Sequence, residues 1–186
     1  LSFKNVEIYS IDEYYPAPAD GQSRNRRLYE ELVSKVDIKP ENVHVPKLTE
    51  IHDSAYVTEF CAEYDAKASG LDLLVMGMGE KGQVGFNEAG ASEFARTRTV
   101  LLPYLSRKRQ AKNFAGNLEI TPKSAIAMGV STMMSSKKIY LIAWGEDKAQ
   151  VVKNVVEDKA DAACHASLLQ RHSNISFYVE DNSASL

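Results

Sequence analysis

The sequence predicts an α/β fold, a doubly wound and mainly parallel sheet with flanking helices of the Rossmann-like kind. Three features predict it. Short apolar or β-branched runs recur at residues 4–11, 71–76, 138–144 and 175–179, and segments of helical periodicity separate them. Strands that alternate with helices favour parallel pairing. The run 71–76 also has the length of a strand buried on both faces, and it ends in the glycine-rich loop GMGEKGQVGFNEAG.

Taken in order, residues 4–11 alternate and read as a strand that ends at Asp12-Glu13-Tyr14-Tyr15, followed by a Pro-rich loop over residues 16–21. Ser23 is placed to cap a helix running to about Lys35, with Leu28, Leu32 and Val36 inward. Arg24, Arg26 and Arg27 are either an anionic-ligand patch or a solvated first turn, and the solvated turn is the reading preferred. Residues 40–46 are a connector, and residues 53–68 a helix with Ala55, Phe60 and Tyr64 inward. After the glycine-rich loop come a strand over residues 98–102, a basic helix over 106–114 and a turn leading into 125–128. Gly129 starts a short helix; Gly145 to Lys148 opens an amphipathic helix with Val151, Val152 and Val155 inward; residues 161–169 form another. The four main strands are expected to share one sheet.

The chain has 186 residues, 44% hydrophobic and 25% charged, which suits one α/β domain spanning residues 1–186 with a sizeable core. A net charge of −3 without a clustered basic face argues against nucleic acid. The longest apolar run, residues 139–144, is far too short to span a bilayer, and no secretion leader opens the chain, so a cytoplasmic location is expected. Cys61 and Cys164 read as two reduced core thiols. His44, His52, His165 and His172 show no metal-ligand spacing.

Ligands in open α/β sheets bind outside the carboxyl ends of strands, which is where the loop after residue 76 falls. The spacing Gly77-x-Gly79-x-x-Gly82 matches a dinucleotide fingerprint. That fingerprint needs a helix at the third glycine and an acid ~20 residues on. Gly85 and Gly90 interrupt any regular helix and no carboxylate closes the next strand, so no nicotinamide cofactor, nor any other, is expected. Asp12 closes a strand at the same sheet edge and is either a general base or an exposed strand-end acid. Glu88 is either a functional acid or a turn residue.

The run Met78-Gly79-x-x-Gly82-x-Val84-Gly85-Phe86-Asn87-Glu88 resembles the active-site loop of the glucosamine-6-phosphate deaminases, also called isomerases, which have sugar-phosphate lactonases as more distant relatives. Asp12-Glu13-Tyr14, Val36-Asp37-Ile38-x-Pro40-Glu41-Asn42, Arg96-Thr97-Arg98 and Ser167-x-Leu169-Gln170-x-His172 extend the resemblance over nearly the whole chain.

The resemblance implies an enzyme converting glucosamine 6-phosphate to fructose 6-phosphate and ammonia. It implies Asp12 as the base that takes the C2 proton and Glu88 as the partner of a ring-opening histidine. It also implies Gly77, Gly79 and Gly82 in the ligand-binding loop, with Lys148 and Lys112 as phosphate cations; Lys112 stands where the family has arginine. Two positions depart: Lys81 stands for the family's Asp and Gln83 for its His. An amide cannot shuttle a proton as imidazole does, though it can still bind a hydroxyl. Lys81 can pair with Glu88 or meet an anion. The four catalytic positions, Asp12, Lys81, Gln83 and Glu88, are expected to converge at the carboxyl ends of neighbouring strands.

The family begins with a further strand and a Thr/Ser-Gly-Gly phosphate loop, so the chain, starting on Leu1, is expected to be a fragment lacking that βα unit. The expected partner is a small sugar phosphate, with neither nucleic acid nor membrane and with a homo-oligomer open. A sugar-phosphate-binding or regulatory domain without turnover is the alternative; a lactonase is a second, and Gln83 counts against it.

Overall fold

A computed structural model describes residues 1–19 and 21–186; Asp20, inside the predicted 16–21 loop, lies outside the described residues. In chain order the elements are β1 (Ile8–Tyr9), β2 (Asp12–Tyr15), α1 (Arg24–Glu31), β3 (Val43–His44), α2 (Ser54–Ala68), β4 (Leu74–Gly77), β5 (Arg98–Leu101), α3 (Tyr104–Gln110), β6 (Ser124–Ala127), α4 (Val130–Met134), β7 (Ile139–Ala143), α5 (Ala149–Glu157), α6 (His165–Leu168) and β8 (Ile175–Val179). The α/β class and parallel pairing are as the sequence predicts: β1 with β3, β4 with β7 and β7 with β8 all run parallel.

The chain forms two compact units, Leu1–Tyr64 with Arg98–Ala127, and Asp65–Thr97 with Met128–Leu186. In the first, β6 is the centre of an antiparallel sheet ordered β2-β6-β5, with Asp12 and Arg98 both opposite Ala127. Ile126 on β6 packs with Leu48, Val57 and Cys61, so α2 lies over one face of this sheet. The side chain of Asp53 accepts the amide of Tyr56 (2.9 Å), which fixes where α2 begins. Of the residues expected inward on α2, Tyr64 is buried and Phe60 half-buried, but Ala55 is exposed. Val57 and Cys61 take the inner stripe instead, one turn apart.

In the second unit β7 is central in the parallel sheet β4-β7-β8. Val151, Val152 and Val155 of α5 are buried, as their spacing predicts. Residues 161–169 yield only the short α6, continued by a 3₁₀ turn at Leu169–Arg171. The motif containing Ser167, Gln170 and His172 is spent on bracing. Gln170 Nε2 donates to Asp158 O (2.9 Å) beyond α5, and His172 Nε2 lies 2.7 Å from Ser136 O ahead of β7.

Three expectations need correction. Residues 4–11 contract to β1, which pairs with β3 in a separate two-stranded ladder rather than joining β4, β7 and β8. Asp12 does not close that strand but opens β2, because the backbone turns at Ser10–Ile11 and then pairs with β6. The run 71–76 is buried on one face only: Leu74 and Met76 are buried, whereas Val75 is 53% exposed. An apolar run records that a strand suits burial, not how many faces are covered.

Candidate active site

The first unit holds two adjacent acids whose environments differ sharply. Glu13 is fully buried and saturated: its carboxylate accepts the amides of Tyr14 (2.8 Å), Arg24 (3.2 Å) and Asn25 (2.9 Å) and the hydroxyl of Ser23 (2.5 Å). It thus shares the capping of α1 with Ser23, the cap that the sequence predicts. Asp12 is equally inaccessible, at 2% exposure, but sparsely partnered. Arg24 Nε lies 3.3 Å from its Oδ1, and Oδ2 is buried with no hydrogen-bond partner among the described residues. Burial pushes the Asp12 carboxyl above the usual carboxylate range, Arg24 pulls it down and Glu13 adds to the rise. A buried carboxylate with raised proton affinity and one free oxygen is equipped to take up a proton.

Arg24 is therefore the residue that the sequence reading missed. It opens α1 half-buried and turned back toward β2, its Cζ 5.7 Å from the ring centroid of Tyr14, rather than solvated. Arg26 does pair outward, with Glu30. The one signal available was Glu13-x₉-Ser23: an acid that caps a helix from another element fixes the rotation of that helix's first turn. Lys112, on the 3₁₀ turn Ala111–Phe114, is exposed.

The second unit holds the glycine-rich loop. Its backbone closes on itself through Gly79 N to Gln83 O and Gly82 N to Gly79 O (2.9 Å each). Gly82 has φ +74°, and a Cβ there would come 2.1 Å from Cys164 Sγ. Asn87 is fully buried, its Nδ2 donating to Val84 O (3.0 Å) and Met128 O (2.8 Å), so it anchors the end of the loop.

Gln83 serves the same architecture, because its Oε1 accepts the amide of Lys81 (3.0 Å). Among the described residues the Lys81 ammonium makes no ion pair, so of the alternatives open to it the pairing with Glu88 is not the one formed. Lys81 instead borders a groove of about 430 Å³ whose rim carries both signs, Glu80, Asp158 and Asp161 beside Lys159. Glu88 is half-buried beside Asn87, while Gly77 ends β4 with its C-terminal edge leading into the loop. Lys148 sits where a 3₁₀ turn passes into α5, its largely buried side chain donating to Asp147 Oδ2 (2.9 Å).

Thus Asp12 and Lys112 belong to the first unit, and Gly77, Gly79, Lys81, Gly82, Gln83, Glu88 and Lys148 to the second. Among the described residues no group of three metal-binding side chains exists, and no helix is long and apolar enough to cross a membrane.

The family model described as glucosamine-6-phosphate isomerases/6-phosphogluconolactonase matches residues 1–177. A glucosamine-6-phosphate deaminase-like protein of Bacteroides thetaiotaomicron is 40% identical over 178 residues, which are 94% of this chain but 26% of that protein. A glucosamine-6-phosphate deaminase of Pseudoalteromonas translucida is 34% identical over 187 residues, covering 100% of this chain and 69% of that one. Among solved structures, a monomeric glucosamine-6-phosphate deaminase superposes with a TM-score of 0.89 at 30% identity, covering 100% of this chain and 77% of its own. The chain therefore spans about a quarter of the Bacteroides protein and about seven-tenths of the Pseudoalteromonas one.

Proposed function

Because the chain belongs to the family of glucosamine-6-phosphate isomerases and 6-phosphogluconolactonases, we propose that it is a glucosamine-6-phosphate deaminase-like protein with Asp12 as its base. The observation that carries this reading is the buried Asp12 carboxyl, with raised proton affinity and an Oδ2 that has no hydrogen-bond partner among the described residues. Removing a proton next to a carbonyl calls for such a group.

In the proposed reaction Asp12 takes the C2 proton of the open-chain sugar, giving an enolamine, and returns it to C1. The resulting C2 iminium adds one water and releases ammonia, leaving fructose 6-phosphate. Glu88 assists proton traffic at the ring oxygen, Lys148 and Lys112 are each a candidate phosphate cation, and the loop of Gly77, Gly79 and Gly82, whose Gly79 and Gly82 amides brace the loop itself, offers the sugar a surface without side chains.

Gln83 favours a second reading, binding with little turnover. Its carboxamide braces the loop through the Lys81 amide and has no titrating proton to offer for ring opening. Either way the ligand is a hexosamine 6-phosphate, a charged ester retained in the cytoplasm.

The deciding experiment measures glucosamine 6-phosphate binding by calorimetry and ammonia release by the full-length protein, each with Asp12→Asn alongside. Binding with release that Asp12→Asn abolishes supports the enzyme. Binding without release supports the second reading, and no binding overturns both.

A further inference from the structure

We propose that Arg24 is a positioning residue for Asp12: its guanidinium holds Oδ1, so that Oδ2 is the oxygen left to exchange a proton with the ligand. The inference rests on the reading of Asp12 as the base, and concerns a residue to which the family resemblance assigns no role.

The geometry divides the two carboxylate oxygens. Oδ1 has Arg24 Nε 3.3 Å away, an ion-pair contact outside hydrogen-bond geometry, while Oδ2 is buried with no hydrogen-bond partner among the described residues. A buried carboxylate oxygen without a protein partner calls for one from outside the chain, a water or a ligand group.

The guanidinium is not a wandering surface group. Its residue is the first of α1, and the α1 start is bolted to β2 because Glu13 accepts the amides of Arg24 and Asn25 together with the Ser23 hydroxyl. The aromatic face of Tyr14, at 5.7 Å, gives the cation a second anchor.

The other groups around Asp12 do not duplicate this. Glu13 on its own strand opposes ionisation, and the Tyr14 phenol and the Tyr64 phenol from α2 are neutral at physiological pH, both pushed up chiefly by burial. Across the sheet stands Ala127, and Arg98 is a full strand further away in the same row. Take Arg24 away and burial and Glu13 act in the same direction, so Asp12 would hold its proton more tightly still.

Arg24→Gln and Arg24→Lys in the full-length protein test this. The first readout is the carboxyl ¹³C titration of Asp12, assigned by Asp12→Asn; the second is the pH profile of kcat/KM for ammonia release. Losing a cation at this range moves a carboxyl by about 1–3 pH units. Arg24→Gln should move the titration and the acid limb upward by that amount, with turnover recovering at alkaline pH, and Arg24→Lys should restore most of the shift. The α1 cap uses only the backbone amide of residue 24, so both variants keep it.

An Asp12 titration unchanged in Arg24→Gln overturns the proposal. So does Arg24→Lys behaving as Arg24→Gln, which would mark a packing role. If Asp12→Asn keeps the parental rate, the base assignment fails instead. A shifted titration would then still show the hold on Oδ1, so the two failures are told apart.

Discussion

Arg24 places its Nε 3.3 Å from Asp12 Oδ1, yet the Asp12 carboxyl still holds its proton more tightly than a free aspartate. Burial outweighs the guanidinium. The folded state therefore binds this proton better than the unfolded chain. Its contribution to stability is fully present below the ordinary value of about 3.9 and is lost as pH rises through the raised folded value. The ionised form of Asp12 is thus a burden on the fold. Asp12→Asn should melt higher than the parent near pH 8 and lose that advantage below about pH 4. Its ammonia release should fall by ~10²–10⁴. A variant that melts lower than the parent at pH 8 would contradict this account of the burial.

Asp65 has the opposite sign. Burial pushes its carboxyl up, but the Thr132 hydroxyl, the Thr97 amide (2.7 Å) and Arg96 Nη1 (2.8 Å) together bring it below the usual range. Stability from a depressed carboxyl is present above the unfolded value and lost as pH falls through the folded one. Asp65→Asn should therefore cost roughly 1–3 kcal/mol near pH 7, the price of leaving buried donors unmatched. The cost should shrink in chemical melts below about pH 4. Equal stability of variant and parent at pH 7 would show that these bonds are exchanged freely with water.

These two acids mark the limit of what the sequence discloses. Val151, Val152 and Val155, the Ser23 cap and the whole of β8 are legible because each is a local pattern of period or capping chemistry. β6 is not, since Ser124-Ala-Ile-Ala127 has little β-branching and becomes a strand by lying between β2 and β5. Asp12 reads as the end of a strand because aspartate is depleted within strands; its pairing with Ala127 comes from residues far away in sequence. Likewise the aim of Arg24 depends on Glu13 receiving the α1 amides, and that is a tertiary fact. Candidate chemistry was visible in the chain; the partner that adjusts it was not.

The loop itself can be tested at Gly82. An alanine there meets a backbone at φ +74° and a thiol 2.1 Å from its Cβ. The left-handed conformation alone costs about 1–2 kcal/mol. Gly82→Ala should lose that and more in urea melts, and adding Cys164→Ala should recover only the steric part, leaving a coupled pair. Gly82→Ala as stable as the parent would mean that the loop relaxes without penalty.

Restoring the imidazole is the sharpest test of the chemistry. Gln83 Oε1 accepts the Lys81 amide, so the side chain at position 83 already points back into the loop and its amide cannot carry a ring-opening proton. If Asp12 is competent, the parent should turn over only the open-chain sugar that solution equilibrium supplies. Lys81→Asp with Gln83→His adds an acid–base group titrating near neutral pH and a carboxylate to orient it. Ammonia release by the full-length double variant should then rise by roughly 10²-fold or more. Calorimetric affinity for glucosamine 6-phosphate should change little, because ring opening is a step after binding. The gain should also vanish when Asp12→Asn is added, since C2 proton abstraction follows ring opening. A parent that already releases ammonia with kcat on the order of 10 s⁻¹ would defeat the argument and assign the proton to another group, with the exposed Lys81 ammonium first in line.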